Sequence, residues 1–549
     1  MADITYRANI TTDIFPLLSE LQGPNVIRPG LDQHYISSPF GDNRPAVDRG
    51  IPEVLYLQNA VPTAHGYKSV AYEEVVPASL DGRKFIDIFE IKDFDGNRGF
   101  LGITEEGYTY IINRDNPVWY DVTPGGPTPG VSVTVANATG SSFICYANTE
   151  IYQVDIAART LSVAAIQWDS PRENSDIVGI ASSNNYLLAH DGTYVYWSSA
   201  LDVLDFQESQ ITGAGSGVPV GATGRIVMIA PLGIGFAIYC QGNIIVGVYS
   251  GNVQFPWLFK EAPNGSGISE VKNISLKGDE SSNYAWASSG LLKVTLSGCS
   301  NIFPQVSDFL GGRLLETYDS NTDVLSTVNL SVNPIVRIYY ISNRFLCISY
   351  GLTSLEYNYI LLYDTALKRW GKLKINHMQL VDLPFTFDSA SSSITFNDLA
   401  STSFESLADT SFESMYVAGS ETAEAKHAFG IMTKEGTIYL VNTEYSDNDA
   451  EGVLMLGKYA VDRSSFSSVT KTDLEVVKSD NNNFSLHVLS SLDGKTFTKK
   501  QAGYLYIDSP AKREFLNMAT GQNHVILIKG SFHITSVVLT LAIEGSEDG

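Results

Sequence analysis

The chain holds only four cysteines in 549 residues, Cys145, Cys240, Cys299 and Cys347, each isolated inside or beside an apolar strand pattern. No Cys-x-x-Cys pair or Cys/His cluster accompanies them, which removes a disulfide framework and the common zinc spacings; buried free thiols are expected. Basic side chains are scarce too, with 36 Lys and Arg against 60 Asp and Glu and a formal net charge of −24. So negative a surface argues against gripping nucleic acid through phosphate neutralisation, although DNA can still pass such a surface without sticking. Long apolar runs are also missing. The best stretch, Ile226 to Val248, is interrupted by Pro231, Gly233, Gly235, Gln241, Gly242 and Asn243, and reads as two strands with a turn, not a membrane span. The amino terminus, MADITYRANITTDIF, carries charges and no apolar h-region, so the chain is expected to lack a secretory signal and to fold in the cytoplasm that makes it.

Signatures of chemistry are equally thin. Ser198 and Ser199 follow a strand but lack the Gly-x-Ser-x-Gly turn that exposes a nucleophile. GAGSG (213–217) is not followed by the Lys-Ser/Thr of a phosphate cradle. DFDGN (93–97) has oxygen ligands at alternate positions, but no bidentate Glu at calcium-loop distance, so a plain turn is expected. SLDGKTF (491–497) is similar to the Asp-box hairpin of sialidase-like propellers, yet lacks a residue between Asp493 and Gly494 and ends in Phe497; it reads as an Asp-Gly turn. The histidines His34, His65, His190, His377, His427, His487, His524 and His533 form no HxH or HExxH and are expected in the core or on the surface. No catalytic, cofactor-binding or metal-binding residue is nominated, and an enzyme is not expected.

What the chain has is strand chemistry: 29 Tyr, 25 Phe, 46 Gly and many Val, Ile, Ser and Thr, with scarcely any helical periodicity. Hairpin signals recur at Glu106-Gly107, Asp191-Gly192, Gln241-Gly242-Asn243, Ser289-Gly290 and Glu435-Gly436. An apolar strand, a Gly turn and a second strand repeat about every 40 to 60 residues, near the period of propeller blades. The segment LLYDTALKRWGKL fits the pattern as strand, Asp364 turn, and Trp370 opening the next strand. The expected architecture is therefore all-β: a β-propeller of six or seven blades over 54–443, after an N-terminal extended arm at 1–53 and before a C-terminal β-sandwich-like domain at 453–549. An insert at 387–415 contains an eight-residue near-duplication, 399–406 and 407–414; it reads as a surface excursion from one blade, or as a protrusion whose Phe404 and Phe412 dock a partner.

Three segments resemble a phage family. GIPEVLYLQNAVPTAHGYKSV (50–70) resembles the opening segment of propeller-type virion proteins of short-tailed, podovirus-like phages. VYWSSALDVLDFQESQITGAG (195–215) resembles their W/F-S-x-x-x-D-x-x-D-F signature, and GNIIVGVYSGNVQFPWLFKEAPNGSGIS (242–269) their downstream segment ending in a Gly-rich turn. That resemblance implies a tail nozzle, also described as tail tubular protein B or a stabilisation (tail hub) protein. It implies a homo-oligomeric ring, commonly six-fold, located in the virion tail beneath portal and adaptor proteins. Tail fibres would lie nearby, genome DNA would pass through without specific binding, and no membrane would be entered. The repeated insert and the acidic linker at 444–452 depart from the family, so fibre contacts do not carry over. From the residues themselves, Tyr194, Tyr196 and Trp197 are expected to pack a blade. Asp202 and Asp205 are expected to cap tight turns, and Phe206 to pin the loop or to sit within a blade. The alternative reading is a propeller tail protein that binds or degrades host-surface glycan.

Overall fold

Short apolar strands punctuated by Gly, Asn and Asp favour antiparallel hairpins, and in this computed structural model they build almost nothing else. The structure describes residues 3–8, 25–26, 54–78, 80, 82–113, 116–252, 254–275, 281–310, 315–328, 335–351, 357–382, 429–442, 451–460, 466–477, 483–492, 496–509 and 511–543. The duplicated insert with Phe404 and Phe412 lies outside the described residues.

Successive hairpins make seven sheets among the described residues, in chain order 85–121, 133–163, 179–217, 226–261, 282–301, 335–377, and 379–442 with 71–76. The fifth has three strands and the others four. Each sheet is an antiparallel meander, and each shares an apolar core with the next. Phe89 and Leu101 of the first meet Ile144 and Val154 of the second. Phe143 and Cys145 of the second meet Leu187 and Tyr196 of the third. Tyr186 and Leu188 of the third meet Phe236 and Ile238 of the fourth. The series continues from fourth to fifth, fifth to sixth and sixth to seventh. Val381, Met432 and Ile438 of the seventh then pack on Phe85, Ile88 and Phe100 of the first, which closes the circle. The architecture is a seven-bladed β-propeller.

Closure uses both ends of the propeller's chain. The last blade takes its inner three strands from Gln379–Asp382, Phe429–Met432 and Ile438–Asn442, and its outer strand from Ala71–Val76, antiparallel to Ile438–Asn442. At the seam the Gln379 side-chain amide bonds both the N–H and the C=O of Ile88, with Ile88 N–H donating at 3.1 Å. Beside it, Arg337 reaches Asp87 at 2.8 Å.

The alternating C-terminal strands form a two-sheet sandwich. One sheet holds Gly452–Ala460, Asn523–Ser531, Asn483–Ser491 and Thr498–Ala502; the other holds His533–Ile543, Ser467–Val476, Lys512–Gly521 and Tyr504–Asp508. Leu454, Leu456, Leu486, Val488, Ile526 and Ile528 of the first face Val469, Leu474, Phe515, Val537, Leu539 and Leu541 of the second. N-terminal pieces complete it: Asp3–Ala8 pairs with His533–Ile543, Asn25–Val26 runs parallel to Gly452–Ala460, and Val54–Gln58 runs antiparallel to it.

Two details differ from the sequence reading. Residues 54–69, placed at the start of the propeller, pair with the sandwich and with the edge of blade six, because Val54 and Leu57 have their apolar partners in the sandwich core. Ile226 to Val248 is three strands, not two, because Gly233, at φ +58°, turns the chain between Ile226–Leu232 and Gly235–Cys240.

Candidate functional site

The signature stretch starts on a buried strand, Val195–Trp197. Trp197 Nε1 donates to the Gly213 carbonyl at 2.9 Å, and its ring lies 6.2 Å from Phe259 of the next blade. The returning strand, Gly215–Gly217, crosses so close to the indole that a Cβ on Gly215 would sit 3.2 Å from Trp197 Cζ2. Glycine is there to let a backbone pass over tryptophan, which accounts for GAGSG without any phosphate.

Between these strands Asp202, Asp205 and Ser199 each hold a turn. Asp202 Oδ1 accepts from the Leu204 N–H at 2.9 Å, Asp205 Oδ1 from the Gln207 N–H at 3.0 Å, and Ser199 Oγ from the Leu201 N–H at 3.1 Å. Such local acceptors satisfy amides that no strand partner reaches. Gln167, in the connection from blade two, donates its N–H to Leu204 O and accepts from the Phe206 N–H, at 2.8 and 2.9 Å. Phe206 is buried with its ring 4.4 Å from Trp168. Both rings join the core between blades two and three, so Phe206 anchors the loop and is a core residue at once. The loop is a clamp. At its far end the Ala200 N–H donates to Thr212 O at 3.3 Å, bringing together Leu201 and Ile211, which are 88% and 87% exposed. Tyr196 is buried, whereas Tyr194 is exposed and stacks on Tyr196 at 6.3 Å.

The titratable groups are tuned by burial. His190, His377 and His524 are all pushed down to about 4 by desolvation. His377 sits between Ser349 Oγ and Ile375 O at 2.7 and 2.8 Å, and His524 between Ser467 Oγ and Ser490 Oγ, each at 3.0 Å. Burial likewise pushes Cys145 up to about 12 and Cys240 and Cys299 to about 11, so these thiols are poor nucleophiles. Asp93 spends its carboxylate on its own turn, at the Asn97 N–H and Nδ2 at 2.9 and 2.8 Å, and on the Ile156 N–H beside blade two at 3.3 Å. No three His, Cys, Asp or Glu side chains are placed to hold a metal among the described residues. None of the described helices is long and apolar enough to cross a membrane.

The junction between propeller and sandwich was not singled out in the sequence. Arg369–His377, the outer strand of blade six, pairs through Lys372 with Ala60; the hairpin Ala60–Pro62 and Tyr67–Ser69 then pairs with His533 and Ile534. One hydrogen-bonded sheet of eleven strands therefore runs from a blade into the sandwich. Tyr67 Oη donates to Trp370 O at 3.2 Å across it. A second strap is the hairpin Leu315–Asp319 and Val324–Val328. Its Tyr318 packs on the sandwich with Val453, Met455 and Leu527, and its Asp323 meets Lys499 and Lys529 at 3.1 and 3.7 Å. A groove of about 380 Å³ on the sandwich is lined by Ser490, Ser491, Thr496, Thr498, Lys500 and Thr520.

No family model matches the chain, and no curated protein matches it in sequence. Among solved structures it is similar to YCF48 bound to D1 peptide, at 10% identity and a TM-score of 0.36, over 70% of this chain and 99% of that one. It is also similar to the computationally designed Ika8 protein, at 10% identity and a TM-score of 0.34, over 67% and 99% of the two chains.

Proposed function

We propose that this chain is a structural subunit of a short-tailed phage virion, forming a tail nozzle or hub ring through which the genome leaves. The observation that carries the reading is the eleven-stranded sheet joining blade six to the sandwich. A part that transmits load around a ring needs its two bodies to move as one, and main-chain hydrogen bonds across the joint give that stiffness. The resemblance of 50–70, 195–215 and 242–269 to propeller-type virion proteins supplies the identity of the ring. A net charge of −24 suits a conduit that DNA must pass without adhering. Adaptor proteins above and fibres alongside are the partners this reading names, and no residue is assigned a chemical step. Electron microscopy of the purified chain tests it: closed rings with a pore wide enough for duplex DNA are expected, and separate trimers or single subunits would refute it.

The second reading, a glycan-binding tail protein, is favoured by the hydroxyl-lined groove on the sandwich. Binding of host-surface polysaccharide that is lost in Thr498→Trp would establish it.

A further inference from the structure

We infer that the ring is held together by strand addition, with the sandwich edge Tyr504–Asp508 of one copy pairing with the N-terminal strand Asp3–Ala8 of the next. This inference rests on the ring reading above and names the surface that closes it. Tyr504–Asp508 ends its sheet, hydrogen-bonded on one side to Lys512–Gly521 and on the other to no described residue. Four consecutive apolar residues on it, Tyr504, Leu505, Tyr506 and Ile507, are 39 to 69% exposed, and Met518 on the neighbouring strand is 82% exposed. Natural edges are blunted by lysine, proline or a covering loop, and this stretch carries neither Lys nor Pro. An apolar edge with free N–H and C=O groups is a template for another strand.

The occupant follows from a second open edge of the same sheet, where a strand branches off His533–Ile543. There Asp3–Ala8 lies on His533–Ile543 alone, so its outer edge is also unpaired among the described residues. The two edges are similar in length, five and six residues. Four antiparallel steps separate them, so they run in the same direction. Of the two ways the edges can pair, the parallel one matches their charges. Parallel pairing brings the Arg7 end of one strand beside the Asp508 end of the other; antiparallel pairing would set Asp508 at the Asp3 end. Arg7 and Asp508 are 55 and 54% exposed; Arg7 is held by Ser536 Oγ and Glu475 at 3.1 and 3.4 Å, and Asp508 by Arg513 at 2.9 Å. Between copies of a chain this acidic, the contact falls where one strand has no charge over 504–507 and the other carries one Asp and one Arg. Such a contact is head to tail, and a head-to-tail contact generates a ring when its rotation closes.

The test uses the full chain carrying Thr5→Cys and Tyr504→Cys, treated with a short bismaleimide, with particle size read in parallel by microscopy and sedimentation. All four natural cysteines are buried and give no background. The expected result is a ladder running past the dimer that needs both substitutions in one chain. Assembly should also weaken at least tenfold in Asp508→Arg and recover when Arg7→Asp is added. Rings that form without the ladder would overturn the inference and leave the ring reading standing. A dimer from Tyr504→Cys alone would overturn it in favour of edge self-pairing. A chain with no particle larger than a monomer would remove both.

Discussion

Replacing Phe206 by Ala tests whether the signature loop is a clamp. The ring is buried, lies 4.4 Å from Trp168, and belongs to the core joining blades two and three. Truncating such a phenylalanine costs about 3–5 kcal/mol, of which the aromatic pair accounts for about 0.5–1.5 kcal/mol. The effect should centre on these two segments, because the bonds through Gln167 join 164–178 to 198–214 beside Phe206, while separate bonds to Ile151, Asn148 and His190 hold 164–178 to blades two and three. Hydrogen exchange followed peptide by peptide is the right assay. Amides in both segments should exchange about two to four orders of magnitude faster if the opening free energy falls by that amount. Leu201→Ala is the control: the side chain is 88% exposed, leaves no cavity, and should shift exchange by less than about 0.5 kcal/mol. If Phe206→Ala leaves both segments within threefold of the parent, the loop is held by its turns alone and the anchoring argument fails.

Three further outcomes follow from burial and register. Cys145, Cys240, Cys299 and Cys347 should resist a thiol reagent at pH 8 in the native chain and all react in denaturant; fast labelling of any one would contradict its burial. His190, His377 and His524, held near 4 when folded against about 6.5 unfolded, bind more protons in the unfolded state. Stability is therefore full above about pH 6.5 and falls toward pH 4, by up to about 1.4 kcal/mol per pH unit for each histidine. Thermal melts between pH 7 and 5 should show the fall, and a flatter profile is expected in His377→Gln. Gly66→Val would put a Cβ 1.9 Å from the Ile534 carbonyl oxygen. It should cost about 1–3 kcal/mol and speed protease cleavage between propeller and sandwich, whereas unchanged cleavage would mean the junction is not what joins them.

Much of the fold was legible because the hairpin chemistry is local. Asp191, Gly192 and Tyr194 show why: the Asp191 carboxylate takes the N–H groups of Thr193 and Tyr194 at 2.8 and 2.7 Å, and Gly192 sits at φ +93°. Turn type is then set within four residues. The seventh blade was not legible in this way, since its outer strand, Ala71–Val76, lies more than 350 residues from the strand it pairs with, Ile438–Asn442. Asp202 and Asp205 read as turn acceptors because an Asx turn is also local, and each accepts from the amide two residues on. Phe206 was ambiguous for the opposite reason. Its partner Trp168 belongs to another blade connection, and no spacing within the loop reveals it.

The same distinction explains why the junction escaped notice. Lys372 reads as an ordinary exposed charge in LKRWGKLKI, yet it is buried at the pairing with Ala60, its Nζ 4.7 Å from the Tyr56 ring and 5.0 Å from the Tyr359 ring. A lysine stem lying along aromatic faces is favourable only when those faces are assembled from distant segments, here the lead-in to the propeller and blade six. The N-terminal chain thus does three jobs in sequence: it completes the sandwich with Val54–Gln58, bridges to blade six with Ala60–Ser69, and closes the propeller with Ala71–Val76. A stretch of about 25 residues that pairs in turn with both bodies fixes one against the other. Neither body can be cut from this chain without taking strands from its neighbour, so the two are expected to fold and to melt as one cooperative unit.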